Sequence, residues 1–549
     1  MTRSSLLTSV IRRLPLIGLL VFWGAILTYR PTVYTVLGGA SISATMGACL
    51  FWASGRLKFA VWTTTLCVAL LWVLSSIKNA FWKARLVFSD LTLITDPGNF
   101  ETAVHYPLPA LVACLAMVGV LGLCIKTFKA PQSIFAFKKR TLFAFPVVAI
   151  GLGLSLLAVD KGQAAWLVSL PKGSNVVANL LMSAHVKYES PAARMVASDV
   201  FPDHPAPTVQ PKTPLPDLVF LLQESTMNPR YLKGLETAGL GDLSMFESPY
   251  ATIQGPLRVH TYGGATWRSE FSFLTGLSSE DFAPLSNSVF YSAVFHVQDS
   301  LFRRLKAAGY KIVVINPFTE GSFNTGKAHR ALGADEILHP ADLGYPAKRH
   351  KNLWHIKTAE ILDLVKLALD KYESPVAIYA LTMQEHGPYP AKDVQSTELK
   401  TKTGIQVSQE RLLSLENYQR RIREISPVVT AFDRWVVERK KPTILLRFGD
   451  HQPDLKWKPG YQIELPHPDY LTQFALIDNR SSSRETLALT DIVFLPGMIL
   501  ERLPIDKGLF YDTNIAMRHL CQGRYLDCPN PSLLRAYQNE IFVKQRIAE

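Results

Sequence analysis

The sequence predicts two parts in series: a multi-pass α-helical membrane domain, then an α/β domain with a mainly parallel sheet covered by helices. Three observations predict this. Apolar residues make up 48% of the 549, and nearly all the long apolar runs lie before Asp160. Prolines 202, 205, 207, 211, 214 and 216 then punctuate a stiff linker. From Asp217 onward, apolar runs of strand length alternate with helical stretches, the pattern of a sheet wrapped by helices.

In the first part we read five spans: Leu14–Tyr29, Val33–Ala53, Phe59–Ile77, Pro107–Ile125 and Thr141–Val159. Several approach the roughly 20 residues that cross a hydrocarbon core. The first could be a signal peptide, but further spans follow at once without a small-residue cleavage pattern, which favours a retained anchor. With the N-terminus inside, the cytoplasmic segments carry Arg3, Arg12, Arg13, Arg56, Lys58, Lys126, Lys129, Lys138, Lys139 and Arg140. The opposite loops carry only Arg30, Lys78, Lys83 and Arg85, so the C-terminal domain is expected outside. Expected boundaries are 1–160 for the membrane domain, 161–216 for an interfacial and Pro-rich linker, and 217–549 for the exported domain. Lys78–Tyr106 is too polar to span and reads as a connector or an interfacial segment. Gln163–Val200, with Trp166, Leu180 and Leu181, has amphipathic stretches suited to a membrane surface.

The net charge of +13 does not indicate nucleic acid, because an exported domain does not meet it and no zinc-finger or aromatic–basic pattern occurs. Part of that charge sets topology, and the remainder suits anionic head groups. Cys49, Cys67, Cys114 and Cys124 lie in or near the spans as apolar packers. Cys521 and Cys528 are the pair in the exported domain, able to close a short loop in an oxidising compartment or to stay as thiols.

In the second part the expected strands are Leu218–Leu222, Lys311–Ile315, Val376–Leu381, Thr443–Arg447 and Ile492–Leu495. The expected helices include Val297–Ala308, Leu353–Lys371 and Glu410–Arg439. Ligands in open α/β sheets bind beyond the carboxyl ends of strands. The Thr443 strand ends in Gly449-Asp450-His451, a carboxylate beside an imidazole, which suits a metal, an acid–base pair or an ordinary loop. Gly449 would let the chain turn so that both side chains face one way. The Leu218 strand ends in Glu224, either a first-turn helix charge or a partner of that pair. Together Glu224, Asp450 and His451 offer donors suited to Zn2+ or Mn2+. In His260-Thr-Tyr-Gly-Gly-Ala-Thr266, the glycines allow a sharp turn before a hydroxyl at a helix start. Thr266 is then a cap or a nucleophile activated by metal, with backbone N–H groups for a phosphate oxygen. In Thr382-Met-Gln-Glu-His386-Gly-Pro-Tyr389, His386 is a surface histidine at a turn or a group for a phosphoryl oxygen.

These four stretches, in this order over Asp217–Pro453, carry a family resemblance. The exported part resembles the sulfatase-like branch of the alkaline phosphatase superfamily. More closely, the chain resembles membrane-anchored lipoteichoic acid synthases and phosphoglycerol and phosphoethanolamine transferases. The resemblance implies that Glu224, Thr266, Asp450 and His451 bind one divalent ion (Mn2+ or Zn2+, with Mg2+ a further option). Thr266 would also be the nucleophile, His386 would bind the substrate phosphate, and Arg268 and His260 could reach it. Ser225 and Thr226, beside Glu224, are rival nucleophiles. The implied reaction takes a head group from a phospholipid donor onto Thr266 and then to an envelope glycan or lipid acceptor. The implied location is a bacterial inner membrane, with the catalytic domain facing the periplasm.

Departures bear on the head group. Lipid A-type phosphoethanolamine transferases carry several disulfides in the exported domain, whereas here only Cys521 and Cys528 are available, which tilts toward phosphoglycerol. The Trp-Asn-Arg cluster of lipoteichoic acid synthases has its nearest match in Phe323-Asn324-Thr325, without the arginine. Glu189-Ser-Pro-Ala-Ala-Arg194 resembles the formylglycine pattern of true sulfatases but has Glu at the nucleophile position and its arginine one place late. Alternative readings are a metal-dependent phosphodiesterase or sulfatase-like hydrolase, and a non-catalytic membrane sensor on the same fold.

Overall fold

The computed structural model describes residues 17–28, 32–82, 85–88, 90–91, 107–169, 175–185, 188–195, 199–203, 214–283, 285–318, 320, 322–346, 356–373, 375–402, 407–455 and 460–549. Packing divides the chain into two units, Met1–Lys187 and Tyr188–Glu549.

The first unit is helical: α1 (Ile17–Leu27), α2 (Val33–Ser54), α3 (Leu57–Trp82), α4 (Pro107–Lys129), α5 (Phe137–Ser169) and α6 (Val176–Ala184). Among the described residues, four helices are long and apolar enough to cross a membrane: Val33–Ser54, Leu57–Asn79, Pro107–Lys129 and Phe137–Gln163. The expected first span, Leu14–Tyr29, is described only as the shorter α1. Small residues bring α2 and α5 close, since a Cβ on Gly151 would come 2.2 Å from Thr45 Oγ1. There the Ser41 and Ser155 hydroxyls hydrogen-bond at 2.8 Å. Small residues and an interhelical hydrogen bond suit apolar surroundings, where no hydrophobic force draws helices together. Most of the Lys78–Tyr106 connector and of the Pro-rich linker lies outside the described residues.

The second unit is built on a nine-stranded sheet of order β4-β3-β5-β1-β6-β7-β2-β8, with β9 also on β2. Its strands are β1 (Asp217–Gln223), β2 (Ile253–Arg258), β3 (Lys311–Ile315), β4 (Glu336–Leu338), β5 (Val376–Leu381), β6 (Thr443–Gly449), β7 (Leu471–Asp478), β8 (Glu485–Thr486) and β9 (Thr490–Asp491). From β4 to β6 every pairing is parallel, whereas β7 is antiparallel to both β6 and β2. Every residue of β1, β5 and β6 is buried, as parallel strands covered on both faces require. The covering helices are α7 (Thr266–Thr275), α8 (Leu301–Ala307), α9 (Thr325–Ala331), α10 (Thr358–Lys371), α11 (Gln409–Glu438), α12 (Leu495–Leu500), α13 (Gly508–Leu520) and α14 (Pro531–Asn539).

Four of the expected strands are present, and the fifth is corrected. Ile492–Phe494 is a 3-10 turn that runs into α12. The Asp491 side chain caps it by accepting from the Val493 N–H, and Pro496 sits in the first turn of α12, where its missing N–H costs nothing. Cys521 and Cys528 form a disulfide.

Candidate functional site

β1 and β6 lie side by side with Gln223 in register with Gly449, so Glu224 and Asp450 leave neighbouring strands at the same edge. Gly449 serves that approach by its size. A Cβ there would come 2.0 Å from the Thr226 carbonyl oxygen and 3.0 Å from Thr472 Cβ. Its φ is not positive, so the expected role of Gly449 in turning the chain is replaced by one of space. Ser225 takes a positive φ of 49°, an uncommon conformation for a residue with a Cβ. Its N–H then donates to Asp450 Oδ1 at 2.8 Å, and the His451 N–H donates to the same oxygen at 2.8 Å.

The other Asp450 oxygen is buried with no hydrogen-bond partner, although His451 Nε2 stands 3.2 Å from it. His451 Nε2 is also 3.3 Å from Glu224 Oε1. His451 Nδ1 donates to the Gln452 carbonyl at 2.9 Å. A carbonyl only accepts, so Nδ1 carries the hydrogen and Nε2 presents a lone pair to the carboxylates. A lone pair facing carboxylate oxygens, one of them unpartnered, is a donor set with no hydrogen to share. Ligand atoms of Glu224, Asp450 and His451 lie within 4.8 Å of one another, and all three residues are buried. Burial and the Glu224 charge push the Asp450 carboxyl well above the usual range. Two carboxylates in such a site cannot both ionise without a compensating charge. The residues therefore fit a cation, and a ring N–H held by a backbone carbonyl is the usual support of a metal-binding histidine.

Thr266 reaches this group from α7. Gly263, Gly264 and Ala265 all have positive φ, and Thr266 opens the helix. The turn is fastened to the end of β6: the Gly263 N–H donates to the Gln452 carbonyl at 3.1 Å, and Ser269 Oγ donates to the Asp450 carbonyl at 2.5 Å. Thr266 Oγ1 consequently donates to Glu224 Oε2 at 3.1 Å and lies 3.5 Å from His451 Nε2. The rival hydroxyls differ in exposure. Thr226 Oγ1 donates to the Glu224 carbonyl, Ser225 Oγ donates to Glu224 Oε1, and both residues are buried. Thr266 is the half-buried one of the three.

His386 follows β5 and is half-buried, with Nδ1 donating to the Gly387 carbonyl at 2.6 Å. Arg421 of α11 fastens this loop by donating to the carbonyls of His386 and Pro388, and its guanidinium lies 4.9 Å over the Tyr389 ring. Arg268, expected to bind substrate, is engaged by groups of the protein itself. Its nitrogens bond Ser279 Oγ at 3.1 Å, Asn287 Oδ1 at 3.2 Å and the Glu280 carboxylate, so it braces α7 against the following segment. His260 is likewise engaged, 3.1 Å from Asp491 and 3.0 Å from Ser278, and buried.

Several contributors escaped the sequence reading. Thr382 Oγ1 accepts from the Glu224 N–H at 3.3 Å and donates to Glu385 at 3.1 Å. Burial raises Glu385 to about 7, against the hydroxyls of Thr382 and Thr358. Tyr418 of α11 holds the Ser225 carbonyl at 3.0 Å. Of these, Thr382 and Glu385 had a signal, their place in the stretch that ends in His386-Gly-Pro-Tyr389.

A mainly parallel sheet thus gathers carboxylates, an imidazole and a hydroxyl beyond the ends of its strands. The sulfatase family model matches residues 216–504, more than half of the chain. An uncharacterized Haemophilus influenzae protein is 32% identical over 488 residues, covering 85% of this chain and 87% of its own. A Rhizobium meliloti protein, named as a candidate cyclic beta-1,2-glucan modification protein, is 24% identical over 331 residues, 57% of this chain and 50% of its own. Among solved structures, the Streptococcus pyogenes phosphoglycerol transferase GacH in complex with sn-glycerol-1-phosphate aligns with a TM-score of 0.48 at 17% identity. That alignment covers 61% of this chain and 89% of that one. The chain belongs to the sulfatase family. The formylglycine-like stretch ending in Arg194 lies before the matched residues, and Arg194 donates to the Asp281 carbonyl at 2.6 Å.

Proposed function

We propose that the protein is a membrane-anchored phosphotransferase that moves phosphoglycerol or phosphoethanolamine from a phospholipid to an envelope glycan or lipid. The observation that carries this is the half-buried Thr266 hydroxyl on the Glu224 carboxylate, beside Asp450 and His451. Thr266 Oγ1 attacks phosphorus as the bond to the diacylglycerol oxygen breaks, leaving the head group as a phosphothreonine. Glu224, already accepting the Thr266 hydrogen, is placed to take that proton. His386 binds the phosphate, and an acceptor hydroxyl then displaces the threonine oxygen. Glu224, Thr266, Asp450 and His451 would hold one divalent ion, Mn2+ or Zn2+ with Mg2+ a further option. When bound, such an ion lowers the hydroxyl pKa and offsets charge on the phosphoryl oxygens.

The basic residues at Arg56, Lys58 and 138–140 support an inner-membrane protein whose catalytic unit faces the periplasm. The glucan-modifying description of the Rhizobium relative supports a glycan acceptor. The test uses the full-length protein in vesicles of head-group-labelled phospholipid with envelope oligosaccharide added. Diacylglycerol release matched by labelled oligosaccharide is expected. Free head-group phosphate without labelled acceptor would make the protein a phosphodiesterase instead.

A further inference from the structure

We propose that the membrane unit holds one anionic phospholipid of the cytoplasmic leaflet in a groove between α1, α2, α3 and α5. The groove has a volume of about 650 Å³, inside the roughly 300–1,000 Å³ range of ligand pockets. Ala44, Gly47 and Ala48 of α2 and Ala60 of α3 leave the trough, and Phe135 joins its lining beside Phe51, ring centroids 5.3 Å apart. Its lining hydroxyls are turned back onto their own helices. Ser43 Oγ donates to the Gly39 carbonyl at 2.7 Å, and Thr64 Oγ1 donates to the Ala60 carbonyl at 2.8 Å. The interior therefore offers no free hydroxyl donor to a polar ligand. Along α2 the lining runs from Ala40 to Phe51, about 16 Å of helix axis. Half of the hydrocarbon core is about 15 Å thick, so the trough matches the reach of an acyl chain through one leaflet.

Beside Phe135 the chain is basic. Arg140 Nε donates to the Phe135 carbonyl at 2.7 Å, and its other arm reaches the Trp52 carbonyl at 3.4 Å. Arg56 donates to the Phe128 carbonyl at 2.5 Å and lies 4.8 Å over the Phe128 ring. Carbonyls and a ring fix the two guanidiniums in place without neutralising them. Among the described residues, the ion pairs of this unit are Lys78–Asp90 and Lys161–Asp160, so no carboxylate pairs with Arg56 or Arg140. Lys58, Lys138 and Lys139 follow in sequence at the same membrane side. An apolar trough one leaflet deep, ending in two uncompensated arginines, is complementary to an acyl chain joined to a phosphate. A zwitterionic lipid brings an ammonium to this basic end; an anionic one does not.

The proposal stands or falls apart from the transfer reaction, because its readout is binding. Native mass spectrometry of the full-length protein in detergent, titrated with phosphatidylglycerol or phosphatidylcholine, is the measurement. One phosphatidylglycerol is expected to be retained in preference to phosphatidylcholine. Arg56→Gln should weaken it roughly fivefold, the size of one basic contact to an anionic lipid. Ala44→Trp, built from an exposed position, should displace the lipid while helical circular dichroism is unchanged. Equal retention of both lipids, or retention unaffected by Arg56→Gln and Ala44→Trp, would overturn the proposal. So would a dimer of the protein that Ala44→Trp dissociates, since a second copy would then cover the groove.

Discussion

The hydroxyl of Thr266 donates to Glu224 Oε2 across 3.1 Å, although the two residues come from different elements. Glu224 directly follows β1, and Thr266 opens α7 after three residues of positive φ. The hydrogen of the proposed nucleophile is thus directed at a carboxylate by the backbone itself, the pairing of hydroxyl and base that the proposed reaction requires.

Metal content follows from the donor set. Elemental analysis of the purified protein is expected to find one divalent ion per chain. Asp450→Asn or His451→Ala should lower metal affinity by about a hundredfold or more, since the proposed site takes ligands rather than supporting contacts from them. Chelation should lower the thermal midpoint of the wild type, because a ligand bound to the folded state stabilises it. Full metal occupancy in Asp450→Asn would show that the ion sits elsewhere.

Gly449 is a matter of space. The alanine methyl of Gly449→Ala would meet the Thr226 carbonyl oxygen at 2.0 Å, and that oxygen belongs to backbone. Because backbone yields less readily than a side-chain tip, the substitution should cost about 3 kcal/mol or more. A denaturant titration that shows wild-type stability for Gly449→Ala would contradict the close approach of β1 and β6.

Asp281 should make stability pH-dependent. Asp281 is half-buried, and desolvation pushes its carboxyl up to about 6, with the Tyr525 hydroxyl and Gln538 amide donating to it and partly opposing that rise. The folded chain therefore keeps a proton that the unfolded chain loses near the ordinary aspartate value. This contribution is fully present below that value and lost as pH rises through about 6. Its full size is about 3 kcal/mol, of which about 2 kcal/mol is lost between pH 4 and pH 7. Asp281→Asn should flatten that part of the stability profile, measured by urea unfolding at a series of pH values. An unchanged slope would mean that Asp281 ionises normally in the folded chain.

Much of the fold was legible because buried parallel strands are continuous apolar runs, as in Leu218–Leu222 and Thr443–Leu446. β2 was not, since Ile253-Gln-Gly-Pro-Leu-Arg258 carries a glycine and a proline that sheet interiors normally reject. β7 was hidden by Thr472 and Gln473 at its start. Ile492–Leu495 reads as a strand by composition, and only the Asp491 cap and Pro496 turn it into a helix start. At the site, Glu224, Thr266, Asp450 and His451 were visible as strand ends and a turn. What Gly449 and Arg268 do was not, because each depends on partners brought in by folding: Thr226 for one, and Ser279, Glu280 and Asn287 for the other.

The most direct test is peptide mass spectrometry of the full-length protein, acid-quenched during turnover of head-group-labelled phospholipid without acceptor. A phosphodiester-linked head group on the peptide containing Thr266 is expected, lost on addition of acceptor and absent from Thr266→Ala. An adduct on Ser225 or Thr226, or turnover by Thr266→Ala at the wild-type rate, would contradict the role given to Thr266.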